Sequence, residues 1–292
     1  MNYAVLIASH ISYDNQIELL RKAIKSVKNQ DYKDGNIDIF LSISFENNKY
    51  REEFDNSIIS DECFYCYKQD DKTYQLEHLR HLNKIITNEY KNKYEWLLFL
   101  DDDDEYANDR ISTFNKKQNE ILIRDIEEYF NTFIYYEEAK CILQKENGDE
   151  SDVLDCLIYW CYCLKPIAFN IFFKISSFDS TNNKYGDFLL KCYFEKVFCL
   201  NPDATIDDGY YLYNTDNENS ISNINDKKES EKQMVYFKTI LNDTKYLKKK
   251  YGNKYKNFIN KKLYNECYKN YNRFEEIEDF EDNFYKLLRK YK

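Results

Sequence analysis

Five apolar residues, Trp96-Leu97-Leu98-Phe99-Leu100, run directly into five acidic ones, Asp101-Asp102-Asp103-Asp104-Glu105. An apolar run of strand length with no polar face reads as a strand buried on both sides, the pattern of a parallel sheet covered by helices. Such a strand has to end where the charges begin, because unpaired carboxylates are costly to bury. In an extended chain Asp101 and Asp103 project to one side just beyond the strand, and Asp102 to the other. Two carboxylates on one side suit a hard divalent cation. Mg²⁺ or Mn²⁺ held by few protein ligands keeps coordination positions for phosphate oxygens, so the spacing predicts a metal site with Asp101 and Asp103 as ligands. The competing reading is an acidic turn that caps a helix starting near Asp109, but a cap uses one Asp, not four. An EF-hand loop counted from Asp101 fails, because Tyr106 stands where Gly is required and Ser112 where the bidentate Glu belongs.

The chain before this point alternates between two periods. Tyr3 to Ala8 is a strand-length apolar run; Gln16 to Lys28 then places Ile17, Leu20, Ile24 and Val27 on one helical face. Ile37 to Ile43 reads as a second strand and Phe64 to Tyr67 as a short third. Leu76, Leu79, Leu82 and Ile86 follow at helical spacing. Alternating strands and helices predict an α/β domain with a mainly parallel sheet whose ligands bind at the carboxyl ends of strands. Ser9-His10, Ser44-Phe45-Glu46 and Asp101 all sit at such ends. Further on, Ile111 to Tyr129 reads as helix, Leu157 to Leu164 and Ile167 to Ile175 as buried aromatic segments, and Phe188 to Cys192 as helical. Beyond about Asn225 the chain turns rich in Lys and Tyr. A domain spanning 1–225 with a helical extension over 226–292 is the expected organisation.

Composition excludes several classes. With 292 residues, 43% hydrophobic and 17% aromatic, the chain can bury a large core, and 5 Gly with 2 Pro leave no collagen-like or linker-rich stretch. A formal charge of −10 disfavours nucleic acid as a partner. The amino terminus lacks a basic region ahead of its short apolar run, and no later run is long enough to span a bilayer, so a cytoplasmic protein with reduced thiols is expected. Cys63-x-x-Cys66 and Cys161-x-Cys163 have unequal spacing and no nearby His partner, which favours buried thiols over a zinc site. Lys245 to Lys262 holds eight Lys and no acid. This stretch is a candidate peripheral contact with an anionic membrane, set against an ordinary solvated helix face.

Taken in order, these pieces resemble the inverting family 2 glycosyltransferases of GT-A (Rossmann-like) fold, over roughly residues 3–225. Val5-Leu6-Ile7-Ala8-Ser9-His10 is similar to their first strand and nucleotide loop. Ala23 to Tyr32 is similar to a helix closing on the pattern "Sv..Q.y", and Phe99-Leu100-Asp101-Asp102-Asp103-Asp104 to the metal-binding "FLDxDD". Tyr185-Gly186-Asp187-Phe188 stands in the place of the "ED" motif, and Tyr211-Leu212-Tyr213 with Asn219-Ser220-Ile221-Ser222 resembles the closing segment. Gln75-Leu76-Glu77-His78 resembles a "QfeH" variant of some glycosyltransferases of large DNA viruses. Three positions depart from the family: Glu46 replaces the usual Asp after the second strand, Gly186 the acidic neighbour of the base, and Asn217 the closing His.

The resemblance implies transfer of a sugar from a nucleoside-diphosphate donor, UDP by default, to a hydroxyl of a glycan, glycoprotein or lipid-linked acceptor. Mn²⁺ or Mg²⁺ on Asp101 and Asp103 would offset diphosphate charge, with Asp187 as general base. Ser9, His10, Glu46, Lys72, Gln75, His78 and Asp102 are the expected donor contacts, and Trp160 the acceptor contact through its indole face. Several have a plainer reading: a helix N-cap for Asp187, a core side chain for Trp160, solvated strand ends for Ser9, His10 and Glu46, and a surface or partly buried role for His78. His78 and His81, three apart on a helix, could instead pair on a metal. Two other functions compete. A catalytically degenerate nucleotide-sugar-binding protein would account for the departures. A haloacid dehalogenase-type phosphatase also places Asp-x-Asp after an apolar strand, usually the first, and expects Thr or Val where Asp104-Glu105 follow.

Overall fold

The computed structural model describes residues 1–124, 134–140, 153–154, 162–175, 190, 205–212, 214 and 249. The expected alternation is present: β1 (Tyr3–Ile11), α1 (Gln16–Lys28), β2 (Ile37–Phe45), α2 (Asn48–Asp55), α3 (Ile59–Glu62), β3 (Tyr65–Lys68), α4 (Gln75–Glu89) and β4 (Trp96–Leu100). After it come β5 (Glu105–Tyr106), α5 (Arg110–Arg124), β6 (Ile134–Lys140), β7 (Val153–Leu154), β8 (Tyr162–Leu164), α6 (Pro166–Ile175) and β9 (Thr205–Leu212). Among the described residues these strands form one nine-stranded sheet in the order β3-β2-β1-β4-β8-β6-β9-β5, with β7 paired to β6. It is a mixed, mainly parallel sheet flanked by helices, the α/β class expected. The boundary drawn near residue 225 lies outside the described residues, as does the helical extension apart from residue 249.

The topology fixes where a site can form. From β1 the chain steps to β2 and β3 on one side, then crosses back through α4 to place β4 on the other side of β1. Right-handed crossovers in opposite directions put α1 and α4 on opposite faces. The strand order therefore reverses between β1 and β4, and the crevice beyond their carboxyl ends is where open parallel sheets take ligands. All five residues of β4 are buried, as its apolar run requires, and each such Leu or Phe contributes about 1.5–3 kcal/mol of hydrophobic stabilisation.

Several sequence expectations shift in detail. β1 and β2 run beyond Ala8 and Ile43 to Ile11 and Phe45, so Ser9, His10 and Ser44 belong to strands, not to the loops after them. The register pairs His10 with Ser44. The helix read over 111–129 is described over Arg110–Arg124. Among the described residues no helix is long and apolar enough to cross a membrane.

Candidate functional site

At the carboxyl end of β4 the chain turns; it does not extend. The Asp104 N–H donates to the Asp101 carbonyl at 3.3 Å, and the strand ends at Leu100. The alternation that would pair Asp101 with Asp103 therefore does not apply as drawn from an extended chain. Each carboxylate is placed by the turn and its neighbours. Asp102 faces β1 and α1: its Oδ2 accepts from Ser9 Oγ at 2.5 Å and from Gln16 Nε2 at 3.0 Å. Burial, then the adjacent Asp103 charge, pushes its carboxyl up to about 7 against those two bonds. Asp101 Oδ1 accepts from Gln75 Nε2 at 3.3 Å, so the first residue of α4 stands beside it.

Asp104 has a different duty. It is 1% exposed; its Oδ2 accepts from the Tyr211 hydroxyl at 2.7 Å and its Oδ1 from the Asn214 N–H at 2.7 Å. The same Tyr211 hydroxyl accepts from the Asp101 N–H at 3.0 Å. One phenol thus ties both ends of the acidic turn to the end of β9. Burial and then Asp103 raise the Asp104 carboxyl well above the usual carboxylate range. We expect Asp104→Ala, which strands the Tyr211 hydroxyl and the Asn214 N–H, to cost about 1–3 kcal/mol in urea unfolding, with Asp104→Asn costing less. An alanine variant as stable as the parent would show that this clamp does not hold the turn.

The helix pattern "Sv..Q.y" also has a structural duty here. Ser26 Oγ donates to Ala23 O and accepts from the Tyr106 N–H; the Gln30 side chain donates to Ala107 O at 2.6 Å and accepts from the Ile111 N–H at 2.9 Å. These two buried polar groups fasten α1 to the segment that leaves the acidic turn.

A second group of predicted residues gathers at the ends of β1 and β2. Side chains alternate along a strand, so Ser42, Ser44 and Glu46 share a face, and the pairing of His10 with Ser44 puts His10 on that face as well. Ser9 then points to the opposite face, toward Gln16 of α1. His10 Nδ1 lies 2.8 Å from Ser44 Oγ and its Nε2 lies 3.0 Å from Glu46 Oε2, to which Lys72 Nζ donates at 2.6 Å. The Lys72 bond, followed by the His10 bond, lowers the Glu46 carboxyl; burial lowers the His10 imidazole. Beside Glu46 a cavity of about 510 Å³ opens, lined among others by Asn47, Asn48, Arg51, Asp70 and Lys72. Arg51 forms part of its wall, with Nη2 donating to Gln69 O at 2.6 Å and its guanidinium over the Phe45 ring at 5.3 Å.

Seven of the predicted site residues therefore fall in two clusters, Ser9 with Asp102 and Gln75 with Asp101 on one side, His10 with Glu46 and Lys72 on the other. Two strand spacings, about 10 Å, separate β2 from β4. His78 does not contact a ligand directly, as the donor-contact expectation required, because it is 1% exposed beneath Ser42 and Ser44. Nor does it pair with His81, which bonds the Tyr65 hydroxyl at 3.0 Å and stacks on Tyr67 at 4.0 Å. Asp187 and Trp160 lie outside the described residues, as do Asn217 and the Lys-rich stretch apart from Lys249. Cys63 and Cys66 are free thiols raised by burial, and Cys163 is buried in β8, beyond β2, β1 and β4 from β3. Among the described residues no three His, Cys, Asp or Glu side chains converge to hold a metal. The residues that sequence reasoning missed are Ser42, Ser44, Tyr211 and Asn214. Two serines at alternate positions of the buried, otherwise apolar stretch Ile39–Phe45 were the available signal, since buried hydroxyls need partners.

No model of a known protein family matches the chain, and no curated protein matches its sequence. Among solved structures it is similar to S. aureus TarS 1–349 in complex with UDP-GlcNAc, with a TM-score of 0.49 and 12% identity, covering 83% of this chain and 67% of that one. TarS 1–349 in complex with UDP gives 0.48 and 10%, covering 83% and 65%. TarS 1–349 alone gives 0.45 and 10%, covering 95% and 93%. The chain thus spans a little under two thirds of the length of the TarS chain in the UDP complex.

Proposed function

We propose that this chain is a GT-A glycosyltransferase that takes a sugar from a nucleoside-diphosphate donor, UDP-linked by default, and passes it with inversion to a hydroxyl acceptor. The observation that carries the reading is the convergence of three parallel strand ends on the switch point of the sheet. There a carboxylate paired with Lys72 beside a cavity stands about two strand spacings from a compact acidic turn. Glu46 offers an acceptor for the hydroxyl or N–H donors of a nucleoside. Asn47, Asn48 and Arg51 on the cavity wall supply further polar contacts. Ser9 and Gln16 hold Asp102 in place, and Gln75 stands at Asp101, so the turn is positioned before any ligand arrives.

Carboxylate oxygens are the donors that a hard cation prefers. Two carboxylates are a protein share that Mg²⁺ or Mn²⁺ takes when substrate phosphates complete its shell, and Asp101 and Asp103 are the pair we assign to it; among the described residues no third His, Cys, Asp or Glu groups with them. Such an ion, when bound, offsets the charge that builds on the diphosphate as the sugar leaves. The acceptor proton goes to Asp187 in this reading, and Trp160 lies on the acceptor side. A glycan, glycoprotein or lipid-linked sugar is the acceptor class, with 245–262 as a contact for an anionic membrane surface.

UDP with Mn²⁺ is expected to raise the unfolding midpoint by several degrees at about 100 times its Kd, where binding contributes about 2.7 kcal/mol. Either alone should do less. Release of UDP from a UDP-sugar in the presence of an acceptor panel then separates a transferase from a protein that only binds the donor. No shift with any nucleoside diphosphate would sink the reading.

A further inference from the structure

Beside the cavity a chain of hydrogen bonds runs inward from Glu46, and its inner members, Ser44, His78 and Ser42, are out of a ligand's reach. Ser42 and Ser44 are 0% exposed. Ser42 Oγ lies 2.8 Å from His78 Nδ1, and Ser44 Oγ lies 3.1 Å from His78 Nε2 and 2.8 Å from His10 Nδ1. The chain ends at Glu46 through His10 Nε2.

Its proton order can be worked out from the ends. Glu46, bonded by Lys72, is a carboxylate and can only accept, so His10 Nε2 must carry a proton toward it. A neutral His10 then has a bare Nδ1, which has to accept from the Ser44 hydroxyl. That uses the only proton Ser44 has. Its oxygen also accepts from the Thr73 N–H at 3.3 Å, so its remaining lone pair faces His78 Nε2, which must donate. His78 Nδ1 is then the acceptor, filled by the Ser42 hydroxyl, whose own oxygen accepts from Gln69 Nε2 at 3.3 Å. In this order each hydroxyl and each imidazole N–H of the chain meets an acceptor, with the Thr73 carbonyl at 3.5 Å as a second, longer acceptor for Ser44. Reversing any hydroxyl would set two protons or two lone pairs against each other.

We propose that Ser44 and His78 are positioning residues: they hold His10 in its Nε2–H tautomer, and His10 with Lys72 holds Glu46 as the acceptor that receives the nucleoside of the donor. Both His10 and Lys72 bond the same oxygen, Oε2, which leaves the acceptor capacity of Oε1 for that nucleoside. The second half rests on the donor-site reading above; the first half does not. It also gives a physical reason for His78 in a position where Leu76, Leu79 and Leu82 would otherwise call for another apolar residue. The imidazole is the relay between two buried serines.

The chain contains three histidines, at 10, 78 and 81, so their ring nitrogens can be assigned one by one in a ¹⁵N imidazole NMR spectrum of the unliganded protein. Wild type should show His10 and His78 each protonated at Nε2 alone. His78→Phe frees Ser44 to turn toward Thr73 O, so a His10 Nδ1–H population should emerge and UDP affinity should fall about tenfold, the size of one charge-assisted contact. His78→Gln, whose Nε2 can still donate to Ser44, should return both readings toward wild type. Ser44→Ala severs the same link with a smaller change, should Phe not be accommodated, and the same two effects are expected. A wild-type His10 protonated at Nδ1, or variants that leave its tautomer and UDP affinity unchanged, overturns the positioning role. A wild type with the predicted tautomers that binds no UDP overturns the donor-site reading and leaves the proton order standing.

Discussion

Replacing both Asp101 and Asp103 by alanine is expected to abolish the Mn²⁺-dependent part of UDP binding, a loss greater than about 100-fold by titration calorimetry, since even outer-shell changes cost metal sites 10- to 100-fold. Asp102 accepts from Ser9 and Gln16, Asp104 from Tyr211 and the Asn214 N–H, and Asp101 from Gln75; Asp101 and Asp103 are the pair assigned to the ion in the proposed function. A weak, metal-independent affinity through the Glu46 side should persist. Removing the Asp103 charge also relieves a repulsion in the ligand-free protein, because that charge, after burial, raises both Asp102 and Asp104. Function and apo stability therefore pull in opposite directions at this corner. Mn²⁺-dependent binding that survives the substitution would place the ion elsewhere.

Asp187→Asn is expected to lower the transfer rate by about 10²–10⁴ while donor affinity stays within a few-fold. Inversion by a single displacement needs one group to take the acceptor proton, and an amide cannot. Because the proposed single displacement forms no covalent intermediate, the variant should show no burst of released UDP. Donor binding measured beside turnover distinguishes loss of a base from loss of the fold. Unchanged turnover would remove Asp187 from the mechanism.

The parallel half of the sheet was legible because each of its elements carries its own local signal. The apolar run 96–100 matched β4 to the residue, and the face Ile17, Leu20, Ile24, Val27 matched α1. α2 was not legible: among its eight residues Tyr50 and Phe54 are the buried ones, too few for a helical stripe to stand out. β5 carries almost no local signal at all. It exists because Glu105 and Tyr106 pair with Leu212 and Tyr211, a partner roughly a hundred residues away. The site followed the same rule. Ser9, His10, Glu46 and the aspartates could be placed at strand ends from periodicity, but their individual partners depended on a turn where an extended chain had been expected. His78 was expected as a donor contact through the resemblance of Gln75-Leu76-Glu77-His78 to "QfeH", yet a position next to Leu79 on the inward face points into the core.

The clamp by Tyr211 has a temporal side. Its bonds to Asp101 and Asp104 join residues separated by 110 and 107 positions, so the corner cannot close until synthesis has delivered the segment around β9. Closing so long a loop is entropically the slow part of assembling such a sheet. A nascent chain would carry four crowded carboxylates with no phenol to organise them, and the acidic turn would be finished only after most of the polypeptide had left the ribosome.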